Sequence, residues 1–246
     1  TIVACGETAD VAPTEVTFPL PAPVGGVDYL ERFEGMLVSL PQTLTVTEHF
    51  QLGRFGQVTL SLGRQYQPTH LVAPGGAGSE REALAQANAL KRIIVDDSLQ
   101  NQNADPIVFG RNGQPLSATN TLRAGDTTTG VVGLLTYTWG GNSASPNAYR
   151  VRPLNALHGA IQFVEANPRP SAPLAIGGSV RAGSMNLLNY FNTFGTTACT
   201  FGVGGGVAEC RGAENATEFE RQATKTVAAI LALNPDVLAV NEIEND

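Results

Sequence analysis

Two polar side chains stand at the C-terminal ends of two expected strands. Asn186 follows residues 180–185, and Glu242 follows residues 237–241. If both runs are parallel strands joined by the segment between them, their carboxyl ends share one sheet edge. Ligands of open α/β sheets bind at that edge. An amide and a carboxylate brought together there suit a hard cation such as Mg²⁺, which takes few protein oxygens and keeps several waters. The amide could also orient a phosphate oxygen or an attacking water. Two plainer roles compete on spacing alone: Asn186 as a turn former and Glu242 as a solvated surface acid.

The elements that would carry these residues read as strand, helix, strand. Residues 179–188 form a strand pattern. Asn215, with Glu218 three positions on, caps a helix expected over Ala216–Leu233. Phe219, Ala223, Val227, Ile230 and Leu231 fall on one face of it, and Asn234-Pro235 ends it. Residues 236–240 are a buried-strand run leading into Glu242. That order opens an α/β unit.

Upstream, the pattern changes to short strands. Leu44 and Val46 alternate with Thr43, Thr45 and Thr47, and residues 35–40, 56–62, 92–97, 128–138 and 147–153 also read as strands. Ser79 and Glu82 have capping-box spacing, which predicts a helix to about residue 90. Residues 165–178 hold three prolines within seven positions and read as a semi-extended linker. The fold class is therefore α+β. A β-rich, OB-like barrel is expected over residues 1–164, the Pro-rich linker over 165–178, and a partial α/β sandwich over 179–246.

Lys and Arg number 15 against 22 Asp and Glu, a net charge of −7, with no basic cluster. That balance argues against tight binding of nucleic acid through phosphate contacts. An enzyme whose cation supplies the positive charge is less constrained. Cys199 and Cys210 enclose a Gly-rich segment with no histidine nearby, so a disulfide is preferred to zinc or to two buried thiols. It would imply an oxidising compartment. Cys5 is left to pair with a residue upstream of this chain. No stretch is apolar for long enough to span a membrane.

Other candidates carry less. The glycine run of residues 202–206 lacks the Lys-Ser/Thr ending of a phosphate loop. Asp96-Asp97 has no EF-hand spacing and reads as a turn after a strand. His49, His70 and His158 are widely spaced and read as structural or surface residues. Tyr137 and Trp139 near a strand end could stack a base, or serve as core or rim aromatics. Asn215-Ala216-Thr217 matches a glycosylation sequon.

Several motifs, in order, carry a family resemblance. Ser184-Met185-Asn186-Leu187-Leu188-Asn189-Tyr190-Phe191 resembles the entry strand of secreted nucleases of the endonuclease/exonuclease/phosphatase superfamily, with Met185 where Phe is usual. Cys210-Arg211-Gly212-Ala213, then Glu218-Phe219-Glu220-Arg221-Gln222 and Lys225, resemble the following segment, and Asn234-Pro235-Asp236-Val237 leading to Glu242-Ile243-Glu244-Asn245 its second strand. Phe33-Glu34-Gly35-Met36, Pro68-Thr69-His70, Leu122-Arg123-Ala124-Gly125-Asp126 and Asn167-Pro168-Arg169-Pro170 resemble the accessory domain.

The resemblance implies a secreted, metal-dependent phosphodiesterase acting on DNA, and on RNA as a further substrate. Asn186 would position phosphate or metal-bound water, and Glu242 would ligate Mg²⁺ or Mn²⁺. The superfamily site also uses Asp, Asn and His residues of later strands, which this sequence does not supply. The expectation is a truncated catalytic domain that does not cleave DNA by itself. Neither a membrane nor a protein partner is expected. Two alternatives stand beside this reading: a non-catalytic module binding nucleic acid or a surface partner, and a related phosphoesterase acting on a phospholipid head group or sugar phosphate.

Overall fold

The computed structural model describes residues 10–26, 28–172, 174–175, 177–195 and 199–244. It is mixed α+β and divides after Pro168 into two compact units. Among the described residues it has three α-helices and a predominantly strand-built first unit.

In the first unit β1 (Thr14–Glu15), β2 (Leu37–Glu48), β3 (Gln57–Ser61), β4 (Arg92–Asp96), β5 (Thr127–Thr138) and β6 (Ala148–Pro153) form one sheet in the order β1-β2-β3-β4-β6-β5. β5 also pairs with β2, so the sheet closes on itself. β2 makes closure possible by serving two neighbours. Residues 37–45 pair with β5, and the end of the strand pairs with β3. Its ladder slips between Leu40 and Thr43, at Pro41, which has no N–H to donate. Next to it, Gln42 pins the N-terminal segment. Its Oε1 accepts from Phe18 N (2.6 Å), and its Nε2 donates to Phe18 O (2.8 Å).

Alternation fills the interior. Val38, Leu40, Leu44 and Val46 of β2 are buried together with Val58, Leu60, Val95, Val131, Leu135 and Val151 of the other strands. Each such side chain contributes about 1.5–3 kcal/mol through burial. The loop between β4 and β5 adds Phe109, packed edge-on against Phe163 at 5.9 Å. Asp126 holds that loop in place. Its carboxylate accepts from Arg111 Nε (2.8 Å), Arg123 N (2.9 Å) and Ala166 N (3.2 Å). Burial opposes ionisation of Asp126, but the Arg111 guanidinium and the backbone donors outweigh it and lower its pKa.

A second polar knot is fully enclosed. Arg150 donates to Asp96 Oδ2 (2.8 Å) and Gln57 Oε1 (2.7 Å), and Gln57 Nε2 donates to Ser145 Oγ (2.9 Å). Asp96 and Asp97 do turn the chain after β4, accepting from Ser98 N and Leu99 N. Both are nevertheless buried, and Asp96 is spent on Arg150.

Two of the three helices belong to the barrel unit. α1 (Leu52–Phe55) is a single turn ended by Gly56 in the left-handed region. α2 (Glu80–Ala89) starts at Ser79, whose hydroxyl accepts from Glu82 N at 3.3 Å.

The second unit is smaller. β7 (Ala182–Tyr190) pairs in parallel with β10 (Val237–Ile243), and α3 (Ala216–Leu233) crosses between them. Asn215 caps α3, accepting from Glu218 N at 3.1 Å. Phe219 of α3 packs on Tyr190 at 4.9 Å and on Phe194 at 5.9 Å between ring centroids. Cys199 and Cys210 form a disulfide, Cα–Cα 5.2 Å, which closes the hairpin of β8 (Cys199–Thr200) and β9 (Val207–Ala208). Cys5 lies outside the described residues. No helix among the described residues is long and apolar enough to cross a membrane.

Candidate functional site

β7 and β10 run in register from Ala182↔Val237 to Asn186↔Asn241. Parallel pairing across a helical connection puts both carboxyl ends at one edge of the sheet. There the ladder breaks. The next pair is Tyr190↔Ile243, so residues 187–189 of β7 stand opposite Glu242 alone. The surplus is absorbed by left-handed backbone at Leu188 (φ 57°), Asn189 (φ 50°) and Glu242 (φ 59°). Such conformations cost of order 1 kcal/mol or more each for residues other than glycine, and they persist only where surrounding contacts enforce them.

Side chains enforce them here. Asn186 Oδ1 accepts from Leu188 N (2.7 Å), and Glu242 Oε2 accepts from Asn189 N (3.1 Å). These are consecutive amides, so the two oxygens sit on one turn. From α3, Gln222 Nε2 donates to the carbonyls of Leu187 (3.2 Å) and Leu188 (2.8 Å). Glu244, two positions beyond Glu242, accepts from Asn192 N (2.7 Å) and Thr193 N (2.9 Å). Hydrogen bonding by the Thr193 side chain lowers the Glu244 pKa; burial opposes it, and the Thr193 and Asn192 amides add to the lowering. Glu242 and Glu244 thus spend two carboxylates on the end of β7 and the chain that follows it.

Asn186 and Glu242 are both solvent-exposed. A carboxylate has about four lone-pair sites, so one backbone contact leaves it capacity for a cation. Among the described residues no group of three or more His, Cys, Asp and Glu side chains converges as a metal cage. The donor set at this edge is one amide oxygen and one carboxylate, open to water. That chemistry fits a hard cation holding most of its hydration shell, and it does not fit zinc.

The remaining sequence candidates lie elsewhere. His49, His70 and His158 are exposed and separate. The glycine run of residues 202–206 belongs to the disulfide-closed hairpin, with Phe201 and Val203 exposed at its tip. Trp139 and Tyr137 are both exposed, and the Tyr137 ring packs tilted against Tyr149 with centroids 4.8 Å apart. Asn215 of the sequon serves as the cap of α3.

No protein-family model, curated protein or solved structure matches this chain. Two residues at the edge had no role assigned from sequence, Gln222 and Glu244. Gln222 lies three positions after Phe219, on the apolar stripe that faces β7, and a polar residue interrupting such a stripe was its available signal. Glu244 lies two positions beyond Glu242, just past the end of β10.

Proposed function

We propose that this chain is part of a secreted, metal-dependent phosphodiesterase acting on DNA, with RNA as a further substrate. The first unit would be its OB-like accessory barrel, and the second the opening of an endonuclease/exonuclease/phosphatase-type domain. The observation that carries the reading is the strained turn that gathers Asn186 and Glu242 at the carboxyl edge of two parallel strands. Strained backbone held by side chains clusters at ligand-binding sites, and in open α/β sheets those sites lie at this edge. The five strands of the closed ring, with β1 laid outside it, support the OB-like assignment. A disulfide is compatible with an extracellular protein.

Glu242, assisted by Asn186, would hold Mg²⁺ or Mn²⁺, which when bound supplies Lewis-acid polarisation of the phosphate. The chain's own groups do the rest of the positioning. The Asn186 amide can donate to a phosphate oxygen while its carbonyl stays on Leu188 N. Gln222 holds the carbonyls of Leu187 and Leu188, and Glu244 the amides of Asn192 and Thr193, in the chain that follows Asn186. A general base and further donors for the transition state are not among these groups. On this reading residues 1–246 alone bind the cation and turn over DNA slowly or not at all.

The test uses the natural full-length protein. Digestion of plasmid DNA should stop in EDTA and return with Mg²⁺, and Glu242→Ala should lower the rate by at least about 100-fold, the scale of losing a transition-state electrostatic contact. Parental digestion by Glu242→Ala would refute the assignment. Activity on phospholipid or sugar phosphate with none on DNA would move the substrate and keep the site.

A further inference from the structure

The barrel unit carries a cavity unrelated to the β7–β10 edge. It has a volume of about 800 Å³. β4 and β6 are bridged only at Ile94↔Arg150 and Val95↔Val151. Arg92, Ile93, Ala148 and Tyr149, which precede those bridges, line the cavity. Leu20, Leu30 and Ile93 give it an apolar floor. One wall is an aromatic pair, Tyr137 and Tyr149, with ring centroids 4.8 Å apart.

The charge around these rings is one-sided. Asp28, Glu31 and Glu48 line the cavity against a single guanidinium, Arg92. Glu34 stands behind, accepting from Tyr137 N at 3.4 Å. Tyr149 spends its hydroxyl on Glu31, which fixes the ring. Burial first, then that hydrogen bond and the charges of Glu31, Asp28 and Glu34, raise the Tyr149 pKa. The phenol therefore senses a negative field from three carboxylates. Among the described residues neither Glu48 nor Arg92 has an ion-pair partner, so each is available to a ligand.

We propose that this cavity is a binding site for an organic cation, an amine or amidine carried on an apolar body. The cationic head would lie against the tyrosine faces and between the carboxylates, a position that combines cation–π and ionic attraction. The body would cover Leu20, Leu30 and Ile93. Arg92 would meet a hydrogen-bond acceptor of the ligand. A phosphodiester placed here would face three carboxylates, so the cavity selects against nucleic acid. The proposal stands independently of the nuclease reading, because it uses none of the residues of the second unit.

Calorimetric titration of the full chain tests it, with benzamidinium and acetyl-arginine amide as probes and benzoate as the shape-matched anion. At least one cation should bind saturably and benzoate should not. Binding of acetyl-arginine amide alone would assign the site to a protein side chain, and binding of benzamidinium to a free small molecule. Glu48→Gln, which loses no hydrogen bond within the fold, should weaken the bound cation by roughly tenfold. Glu31→Gln should weaken it at least as much. Equal binding of benzoate, no saturable cation binding below roughly 10 mM, no effect of Glu48→Gln, or competition by an oligothymidylate would each overturn the proposal.

Discussion

Asp97 offers a test of the barrel's buried charge. It follows β4, is 1% exposed, and accepts from Leu99 N at 2.9 Å. Burial is the largest influence on it. The Leu99 amide pulls the other way, Asp96 adds repulsion and Arg152 attraction, and the net effect raises its pKa from 3.8 to about 6. The sign follows from linkage. Below about pH 4 the carboxyl is protonated in both folded and unfolded chains and costs nothing. Between pH 4 and 6 the unfolded chain ionises while the folded one resists, so stability falls as pH rises. Above pH 6 the penalty is complete. A shift of this size corresponds to at most roughly 3 kcal/mol, and screening by nearby polar groups and water reduces the usable figure to about 1–2 kcal/mol. Asp97→Asn keeps an oxygen for Leu99 N and removes the titration. The variant should be more stable than the parent by about 1–2 kcal/mol at pH 7 and equal to it near pH 4. Urea unfolding at intervals from pH 4 to 7, followed by fluorescence of Trp139, the single tryptophan, measures this in the barrel unit. A parental pH slope in the variant, or a loss of stability at pH 7, would refute the account.

Two further perturbations probe the same corner. Gly56 has φ +61°, and a Cβ there would lie 1.9 Å from Asp97 Oδ2, so Gly56→Ala should cost about 2–3 kcal/mol. Adding Asp97→Ala should recover part of that loss in the urea midpoint, and additive losses would discard the steric explanation. Arg150→Met leaves Asp96 and Gln57 buried without their main donor, and should cost roughly 3–5 kcal/mol by the same measurement. A loss below about 1 kcal/mol would mean the pair is replaceable by an apolar side chain.

Local signals were legible in the sequence. The alternation around Leu44 and Val46, the caps at Ser79 and Asn215, and the Cys199–Cys210 pairing each depend on a few neighbouring residues, and the structure has all of them. Closure of the barrel was not readable in the same way. It depends on one long β2 serving β5 along residues 37–45 and β3 at its end, and the two expected strands of residues 35–40 and 42–47 are one strand with a register slip at Pro41. Arg150 was hidden because Tyr149-Arg150-Val151-Arg152 alternates like a half-exposed strand. Only the distant Asp96 and Gln57 make a buried guanidinium tolerable. The cation cavity is hidden for a similar reason, since Glu31 and Tyr149 lie 118 positions apart.

The β7–β10 edge shows how far spacing can go. The runs before Asn186 and Glu242 were enough to expect two strands meeting at one edge, and the parallel register has Asn186 opposite Asn241. Asn186 does not end its strand, however. β7 continues to Tyr190 through a bulge. Simple alternation would turn Glu242 to the face opposite Asn241 and its partner Asn186. The left-handed conformations of Glu242, Leu188 and Asn189 undo that alternation, and no propensity of leucine or glutamate favours them. Gln222 and the two site residues hold that turn together through hydrogen bonds from three elements. A pattern read one strand at a time locates the edge. The conformation that lets an amide and a carboxylate share a turn exists only once all three elements are in place.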